Sequence, residues 1–349
     1  MTAVVDTPTH KIAPGAALAA LEAGDFSGPI LLQSLLLRDE QQERLFALAR
    51  QRREACFPAR KVEVRSVIEV SNVCRQRCNY CSIGAKADRH AYTIRYEDFL
   101  ELADHLYEKG RRVLLIQSGE NAAQEFVDHV ARCVAGLTER HPDMVQILCI
   151  GNLDPEQYRQ LKQAGADRYI LKFETSNAAL YERWKPRDTL ANRLACLESL
   201  LDLGYQVGSG NMIGLPGQSV EDLVSDLQLL GRYPLAMASC TVFIPGEESN
   251  YRDEPMGDLD LTVNLLALIR ILFPDRLIPT TSSLEKAQRG GQYRGLMAGA
   301  NTVTIHDGTP DRLKHLFPIY SSRRFAPPDE HIAAIVKKAH LTFAPGALR

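Results

Sequence analysis

Three of the eight cysteines in this 349-residue chain, Cys74, Cys78 and Cys81, lie within eight consecutive positions. Cysteines clustered in this way bind metals or carry out redox chemistry in cytosolic proteins. Disulfides are a poor explanation, because disulfide frameworks belong to small secreted domains and the N-terminus lacks the basic-then-apolar layout of a signal peptide. The cluster of cysteines therefore predicts a metal-binding or redox loop.

The missing fourth ligand decides what such a loop would bind. Three thiolates are one short of what a structural zinc ion or an ordinary 4Fe-4S cluster takes from a protein. A zinc site could recruit His90, although this histidine lies in a polar stretch and needs no such role. A cluster held by three cysteines would instead leave one iron open to a substrate or cofactor. The residues alone leave both possibilities open.

Regularly spaced secondary structure must position this loop. Short β-branched runs recur along the chain, each followed by an amphipathic or Ala/Leu-rich stretch of helical length. Eight such units imply parallel strands with right-handed crossovers, and eight close into a complete α/β barrel, a (β/α)8 TIM-type barrel. An open, doubly wound sheet is the alternative. The predicted strands are 65–70, 112–117, 144–150, 168–173, 206–212, 237–243, 277–281 and 302–306.

The chain divides around this barrel. We expect residues 1–60 to form an N-terminal helical extension, residues 61–310 the barrel, and residues 311–349 a C-terminal tail packed on it. Active sites of such barrels lie at the carboxyl ends of the strands. The cysteine loop follows directly on the first predicted strand and is therefore expected at that face.

Charged residues at other strand ends are candidates for catalysis. Lys172 and Glu174 end the fourth predicted strand and point to the same side, because side chains alternate along a strand. A charge pair inside a barrel is costly, which favours a catalytic role over a plain ion pair.

His306 and Asp307 end the eighth predicted strand. An imidazole and a carboxylate at this position could bind a polar substrate or move a proton. Equally, Asp307 could begin a turn with Gly308 while His306 packs as a core histidine.

Composition and net charge limit the kinds of partner that the protein is expected to have. Hydrophobic residues make up 45% and charged residues 24% of the chain, as in ordinary globular proteins. The net charge of −2 gives no reason to expect nucleic acid or an anionic membrane as a partner. The longest apolar stretch, residues 265–273, is too short to cross a bilayer. We expect a cytoplasmic protein that acts on a small-molecule substrate.

The spacing C-x3-C-x2-C, with Tyr80 just before the last cysteine, resembles the motif of the radical S-adenosylmethionine (SAM) superfamily. The resemblance implies a 4Fe-4S cluster on the three cysteines, with the methionine end of SAM chelating the open iron. Electron transfer into the sulfonium would release a 5′-deoxyadenosyl radical, while the protein supplies orientation and excludes water. It also implies an electron donor such as a ferredoxin or flavodoxin.

Further segments resemble SAM-contacting parts of the superfamily. Residues 117–120 resemble the "GE" segment that meets the methionine ammonium, and Arg193 matches an arginine that contacts the SAM carboxylate. Residues 208–218 lack the ending of a Walker loop and resemble the adenine-contacting strand, whose glycines would admit a flat ring. The implied cofactor contacts are Tyr80, Ser118, Gly119, Glu120, Glu174, Arg193, Met212 and Ile213.

From residue 151 onward the resemblance narrows to the biotin synthase clan. Within this clan the chain is most similar to HydE-type iron-iron hydrogenase maturases, with methylornithine synthases next, and the matches span about residues 65–310. After the eighth strand, HydE-type proteins have Met-Pro-Asn and a later Tyr-Pro-Gly-Lys. This chain instead has residues 305–310, including His306 and Asp307, and then 318–324. We therefore expect the substrate-binding end of the site to differ from that of HydE-type proteins.

The resemblance predicts a HydE-like enzyme of cofactor biosynthesis. The alternatives among enzymes are a mutase like methylornithine synthase and a sulfur-inserting synthase of the biotin or lipoyl synthase type. Residues 321–323 have a faint similarity to a lipoyl synthase segment. Only two predicted strands carry a cysteine, Cys149 and Cys240, which disfavours the auxiliary cluster of biotin synthase. The alternative of another class is a non-catalytic zinc- or cluster-binding protein.

Overall fold

The computed structural model describes residues 12–83, 90–317 and 327–348. Three helices precede the first strand. The helix Asp39–Cys56 packs against the barrel helix Leu259–Leu272, and both contribute to one continuous hydrophobic core. The three helices are α1 (Pro14–Glu22), α2 (Gly28–Leu35) and α3 (Asp39–Cys56).

Eight parallel strands form the barrel, in the order β6-β5-β4-β3-β2-β1-β8-β7. A parallel bridge between Met237 and Leu277 links the two ends of this order, next to β7. The predicted (β/α)8 barrel is confirmed. The strands are β1 (Lys61–Ser71), β2 (Val113–Ser118), β3 (Val145–Cys149), β4 (Arg168–Ile170), β5 (Gln206–Ile213), β6 (Met237–Val242), β7 (Pro279–Thr280) and β8 (Thr302–Ile305).

Helices follow the strands and cover the barrel. None of the described helices is long and apolar enough to cross a membrane. The helices after β1 are α4 (Tyr96–Glu108), α5 (Gln124–Arg140), α6 (Pro155–Gln163), α7 (Ala178–Trp184), α8 (Leu190–Asp202), α9 (Val220–Gly231), α10 (Leu259–Leu272), α11 (Ser282–Ala287), α12 (Gly291–Met297), α13 (Asp311–Lys314) and α14 (Asp329–Lys338).

Local sequence signals explain where several helices begin. Helix α9 starts with a capping box, in which Ser219 Oγ accepts from the Asp222 N–H at 3.1 Å and Asp222 Oδ2 accepts from the Ser219 N–H at 2.8 Å. Asp154 and Gln157 form the same motif at α6. These reciprocal bonds satisfy donors that the first helical turn leaves without partners.

The C-terminal segment closes the amino-terminal end of the barrel. Strand β9 (Thr342–Phe343) pairs with the start of β1. Beyond it, the backbone N–H of Leu348 donates to Glu63 Oε2 at 2.8 Å, and the Leu348 carbonyl accepts from Arg168 Nη2 at 2.7 Å. The side chain of Leu348 packs on the interior cluster that contains Val67. The described part of the predicted tail therefore plugs the barrel floor, while residues 318–326, with the run 321–323, lie outside the described residues.

Strand β4 is shorter than predicted. It ends at Ile170, although the sequence pattern continues to Phe173. The ladder with β5 resumes only at a bridge between Glu174 and Asn211. Ile170 pairs with Gly208 and Glu174 pairs with Asn211. The chain therefore advances four residues after β4 where β5 advances three, and one extra residue bulges out of the ladder.

Candidate active site

A cavity of about 270 Å³ opens at the carboxyl ends of the strands. Residues from seven barrel strands and from the cysteine loop line it, which matches the usual position of active sites in this fold. The lining comprises Arg65, Tyr80, Cys81, Ile83, Leu115, Gln117, Ile170, Lys172, Glu174, Met212, Ser239, Thr241, Phe243, Ile244, Pro279, Thr281, Ser282, Ser283, Thr304 and His306.

The cysteine loop is held in place by the last residues of α7 and by the segment that follows it. The Asn79 N–H donates to the Trp184 carbonyl at 2.8 Å, and Asn79 Nδ2 donates to the Arg183 carbonyl at 2.7 Å. Arg187 Nη1 donates to the Arg75 carbonyl at 2.9 Å. These bonds fix a loop that carries no regular secondary structure of its own across the three cysteines.

Gly119 provides the close approach between the cysteine loop and the end of β2. A Cβ at this position would lie 2.4 Å from the Val73 carbonyl oxygen and 2.7 Å from the Cys74 Cβ. Only glycine therefore fits here. Ser118 directs its hydroxyl to the Gly119 carbonyl at 2.6 Å. The structure thus places Gly119 against the cysteine loop and Ser118 beside Ser71 at the end of β1, and the SAM contacts of both residues stay predictions.

The three cysteines are half-buried and reduced. Burial raises the pKa of Cys78 to about 11 and also raises the pKa of Cys74. The Sγ of Cys74 accepts from the Glu120 N–H at 3.4 Å. Metal binding requires thiolates, so that ligation at this loop would release protons.

The donor set of the cysteine loop fits an iron-sulfur cluster. The cysteines of a 4Fe-4S cluster each bind a different iron through a thiolate, and Cys74, Cys78 and Cys81 supply three thiols from one short loop.

Glu120 and Arg193, both predicted to contact SAM, pair with each other. Arg193 Nη2 lies 3.3 Å from Glu120 Oε2 and also 3.3 Å from Asp188 Oδ2. Gln76 donates to Glu120 Oε1 at 2.7 Å. Burial alone would raise the pKa of Glu120, but the charges of Arg193 and Lys185 outweigh burial and lower it. An ionised carboxylate and a guanidinium thus lie together beside the cysteine loop.

Sequence reasoning missed the residues that support this pair. Tyr181 OH accepts from Arg193 Nε at 2.9 Å and donates to Asp188 Oδ2 at 2.5 Å. Lys185 Nζ lies 3.7 Å from Asp188, and its side chain is almost fully buried. The segment 185–188 looks like an ordinary polar loop in the sequence, and no spacing in it signals proximity to the cysteines.

Lys172 and Glu174 meet as predicted. Lys172 Nζ lies 3.1 Å from Glu174 Oε2, and both side chains line the cavity. The backbone of Glu174 has a φ of +64°, a conformation that residues other than glycine rarely adopt. Strained backbone of this kind persists where the surroundings enforce it, and it clusters at active sites.

Two predicted contacts on β5 lie on opposite sides of the strand. Met212 lines the cavity and packs in an apolar group with Phe243 and Tyr80, whereas Ile213 is fully buried in the outer core. The structure also gives the glycines of β5 a different role from admitting a ring. A Cβ at Gly210 would lie 1.9 Å from the Ser239 carbonyl oxygen, so the neighbouring strand β6 already requires glycine there.

His306 and Asp307 do not act together in the structure. His306 lines the cavity, and its Nδ1 lies 2.8 Å from Oε1 of the fully buried Glu69. Asp307 is not among the cavity residues, and its Oδ2 accepts from Arg111 Nη2 at 2.9 Å. The expectation that both residues serve the site is therefore corrected to His306 alone, because alternation turns Asp307 to the other face.

Arg65 is a cavity residue that sequence reasoning missed. Its Nε donates to Glu63 Oε1 at 2.6 Å, while its Nη2 is buried with no hydrogen-bond partner. The residue is only 1% exposed. A buried guanidinium nitrogen without an acceptor is costly.

The two interior-strand cysteines do not form an auxiliary pair. Cys149 packs with the hydrophobic side chains inside the barrel, whereas Cys240 is buried in the outer core, where its Sγ contacts the Thr262 carbonyl of α10 at 3.5 Å.

His90, the possible zinc ligand, uses its backbone carbonyl to accept from Asn72 Nδ2 at 2.9 Å.

Comparisons with known proteins agree with this geometry. Residues 68–230 match the model of the Radical SAM superfamily. The chain is 34% identical to the [FeFe] hydrogenase maturase subunit HydE of Thermotoga maritima, over 88% of this chain and 87% of that protein. It is 25% identical to biotin synthase of Saccharopolyspora erythraea, over 87% and 84% of the two chains.

A solved structure shares the whole fold. The crystal structure of methylornithine synthase (PylB) superposes with a TM-score of 0.79 at 21% identity, covering 94% of this chain and 97% of that one. At this identity the likeness concerns the fold alone. The identity with HydE extends well beyond the cysteine motif and covers most of both chains. The chain therefore belongs to the radical SAM superfamily and to the family of HydE within it, enzymes whose cofactors are a 4Fe-4S cluster and SAM.

Proposed function

We propose that this protein is a HydE-like biosynthetic enzyme that acts on a small anionic substrate inside the barrel. The observation that carries the proposal is the cavity itself. The cysteine loop contributes Tyr80 and Cys81 to the lining, and Lys172 and Arg65 contribute two cationic side chains. A substrate with a carboxylate or phosphate could accept charge-assisted hydrogen bonds from these groups.

The residues divide into a cofactor side and a substrate side. Cys74, Cys78 and Cys81 would hold the cluster, and Glu120 and Arg193 would meet the charged groups of the methionine part of SAM. When bound, this pair of cofactors supplies reductive cleavage of the sulfonium and thereby a 5′-deoxyadenosyl radical. Met212 and Tyr80 give the cofactor side an apolar wall that excludes water.

Lys172, Glu174 and His306 line the cavity. The ammonium of Lys172 would bind a substrate oxygen, and Glu174, which is also a predicted SAM contact, would bind a hydroxyl or ammonium group of SAM. His306, whose Nδ1 lies 2.8 Å from Glu69 Oε1, would act as a proton donor or acceptor at this end of the cavity. The departure from HydE-type sequences after β8 falls at this histidine, which supports a substrate different from that of HydE.

Substrate stimulation tests the proposal. We expect some small carboxylates or phosphates, but not their amides or alcohols, to increase the rate of 5′-deoxyadenosine formation. Arg65→Met should abolish this stimulation, and Arg65→Lys should retain part of it. Stimulation by neutral analogues alone, or full stimulation of Arg65→Met, would contradict an anionic substrate. Consumption of sulfide with about eight irons per chain would indicate a second cluster and sulfur insertion instead.

A one-electron donor protein must reduce the cluster, and a ferredoxin or flavodoxin in the cytoplasm would meet this need. Four exposed arginines, which we call the arginine patch, surround the cysteine loop: Arg75, Arg77, Arg183 and Arg187. The loop between β6 and α10 on the other side carries exposed acidic residues, including Asp253 and Glu254. An acidic donor would therefore approach over the arginine patch, because opposite charges steer association.

A further inference from the structure

The unusual backbone of Glu174 belongs to a tight turn. The Thr175 N–H donates to the Phe173 carbonyl at 2.8 Å, which closes a three-residue γ-turn around Glu174. Because φ at Glu174 is +64°, this is the rare and strained form of the turn. The turn absorbs the extra residue of β4 and directs the Glu174 side chain toward Lys172 and the cavity.

Backbone bonds to β5 hold the centre of the turn. The Glu174 N–H donates to the Gly210 carbonyl at 3.0 Å, and the Glu174 carbonyl accepts from the Met212 N–H at 2.9 Å. Asn211, between these two partners, is the ladder partner of Glu174. The position of Glu174 therefore depends on what fixes Asn211 and the residues that follow the turn.

The carboxylate of Asp226 fixes both Asn211 and the residues that follow the turn. Asp226 Oδ1 accepts from the Ser176 N–H at 2.6 Å and from the Ser176 hydroxyl at 2.7 Å. Its Oδ2 accepts from Asn211 Nδ2 at 2.7 Å. Asp226 lies on α9, outside the barrel wall, and both it and Asn211 are fully buried. The carboxylate thus connects the residue two positions after Glu174 to the residue paired with Glu174.

Burial of the Asp226 carboxylate costs more free energy than a purely structural contact would need to. The three donors to Asp226 are all neutral, so no cation offsets the burial of its charge. Burial raises the pKa of Asp226 to about 6, which leaves the carboxylate ionised at neutral pH. An apolar residue on α9 would pack here at less cost, whereas only a two-oxygen acceptor satisfies Ser176 and Asn211 together.

We propose that Asp226 is a positioning residue that holds Glu174 in its strained, cavity-facing conformation and thereby sets the affinity of the site for SAM. The inference rests on the proposed role of Glu174 in the site. Supporting groups that orient a ligating side chain commonly change affinity or activity by about 10- to 100-fold when they are removed.

The test is a double-mutant cycle with Glu174, read out as the SAM dissociation constant of the reconstituted protein and as the rate of dithionite-driven 5′-deoxyadenosine formation. We expect Asp226→Asn to weaken SAM binding about tenfold. In a Glu174→Gln background, the same change should weaken binding less than about twofold, because Asp226 acts through Glu174. Glu221→Gln, an exposed carboxylate on the same helix, serves as the control and should change neither quantity.

A swap variant separates positioning from folding. In Asn211→Asp combined with Asp226→Asn, the amide at 226 donates to the carboxylate at 211 and still accepts from Ser176, so SAM affinity should recover toward wild type. Equal losses from Asp226→Asn with and without Glu174→Gln would overturn the proposal. If Glu174→Gln alone leaves SAM binding and cleavage unchanged, the proposed role of Glu174 fails and the inference fails with it.

Discussion

At the scale of single residues, Glu63 joins the barrel floor to the cavity. Its Oε1 accepts from Arg65 Nε at 2.6 Å and from Arg168 Nη1 at 3.0 Å, and all three side chains are buried. We expect Glu63→Gln to lower the free energy of unfolding by about 3 kcal/mol, because two guanidinium groups would lose their buried counter-charge. Chemical denaturation measures the change. Glu156→Gln, which removes an exposed partner of Arg159, should cost less than about 1 kcal/mol.

The pKa of Glu63 implies that the stability of the fold depends on pH. Burial raises the pKa of Glu63, but Arg65 and Arg168 outweigh burial and hold it below its ordinary value of 4.5. A carboxyl with a lower pKa in the folded state stabilises the fold above its unfolded pKa, and this stabilisation is lost as the pH falls through the folded pKa. Wild-type stability should therefore fall on acidification below about pH 4.5. The same acid dependence in Glu63→Gln would contradict this role.

Single residues were predictable where a simple rule applies. Cysteine spacing identified the loop. Lys172 and Glu174 lie side by side as alternation predicted, although the γ-turn at Glu174 and not a regular strand brings them together. His306 and Asp307, predicted to serve the site together, have different partners, since His306 lines the cavity and Asp307 pairs with Arg111. Arg65 could not be recognised, because its significance is one nitrogen without a partner, and hydrogen-bond satisfaction appears only in three dimensions.

At the scale of elements, the contact between the end of β2 and the cysteine loop depends on Gly119. We expect Gly119→Ala to displace Val73 and Cys74, since its Cβ would lie within 3 Å of both. Iron bound after reconstitution should fall to less than about half of the wild-type level of four per chain. Gly231→Ala, whose Cβ would meet only Phe273 at 3.5 Å, should keep its iron. Full iron in Gly119→Ala would show that the loop does not need this approach.

Elements were predictable where local chemistry decides them. The capping box at Ser219 explains the start of α9 from local sequence, and β-branched runs located the strands. The end of β4 was not predictable, because an added residue in a γ-turn leaves the alternating pattern of residues 168–173 unchanged. Asp226, which we propose holds this turn, reads in the sequence as one more acidic residue of an amphipathic helix.

At the scale of the whole molecule, the arginine patch predicts how reduction depends on charge. Arg183→Glu should slow reduction by an acidic flavodoxin about tenfold at low ionic strength, and added salt should shrink the difference. Reduction by dithionite should not change, because a small reductant needs no docking surface. Arg232→Glu makes the same charge change at the exposed end of α9 on the opposite barrel face and should have little effect. An equal loss in both variants would contradict docking at the patch.

The global fold was predictable because its signal repeats. Eight strand–helix units specify a barrel even when individual boundaries shift by several residues. The closure of the barrel floor by Leu348 was not predictable beyond the expectation of a packed tail. It depends on two backbone bonds to Glu63 and Arg168, partners 285 and 180 residues away in the sequence.

The central claim is that Cys74, Cys78 and Cys81 hold a single 4Fe-4S cluster at which SAM is cleaved. Anaerobic reconstitution followed by iron analysis and by assay of 5′-deoxyadenosine, with dithionite and SAM, tests it most directly. We predict about four irons per chain and 5′-deoxyadenosine formation in the wild type and in the exposed-cysteine control Cys56→Ala, and loss of both in Cys78→Ala. Stoichiometric zinc without SAM cleavage, or SAM cleavage by Cys78→Ala, would contradict the claim.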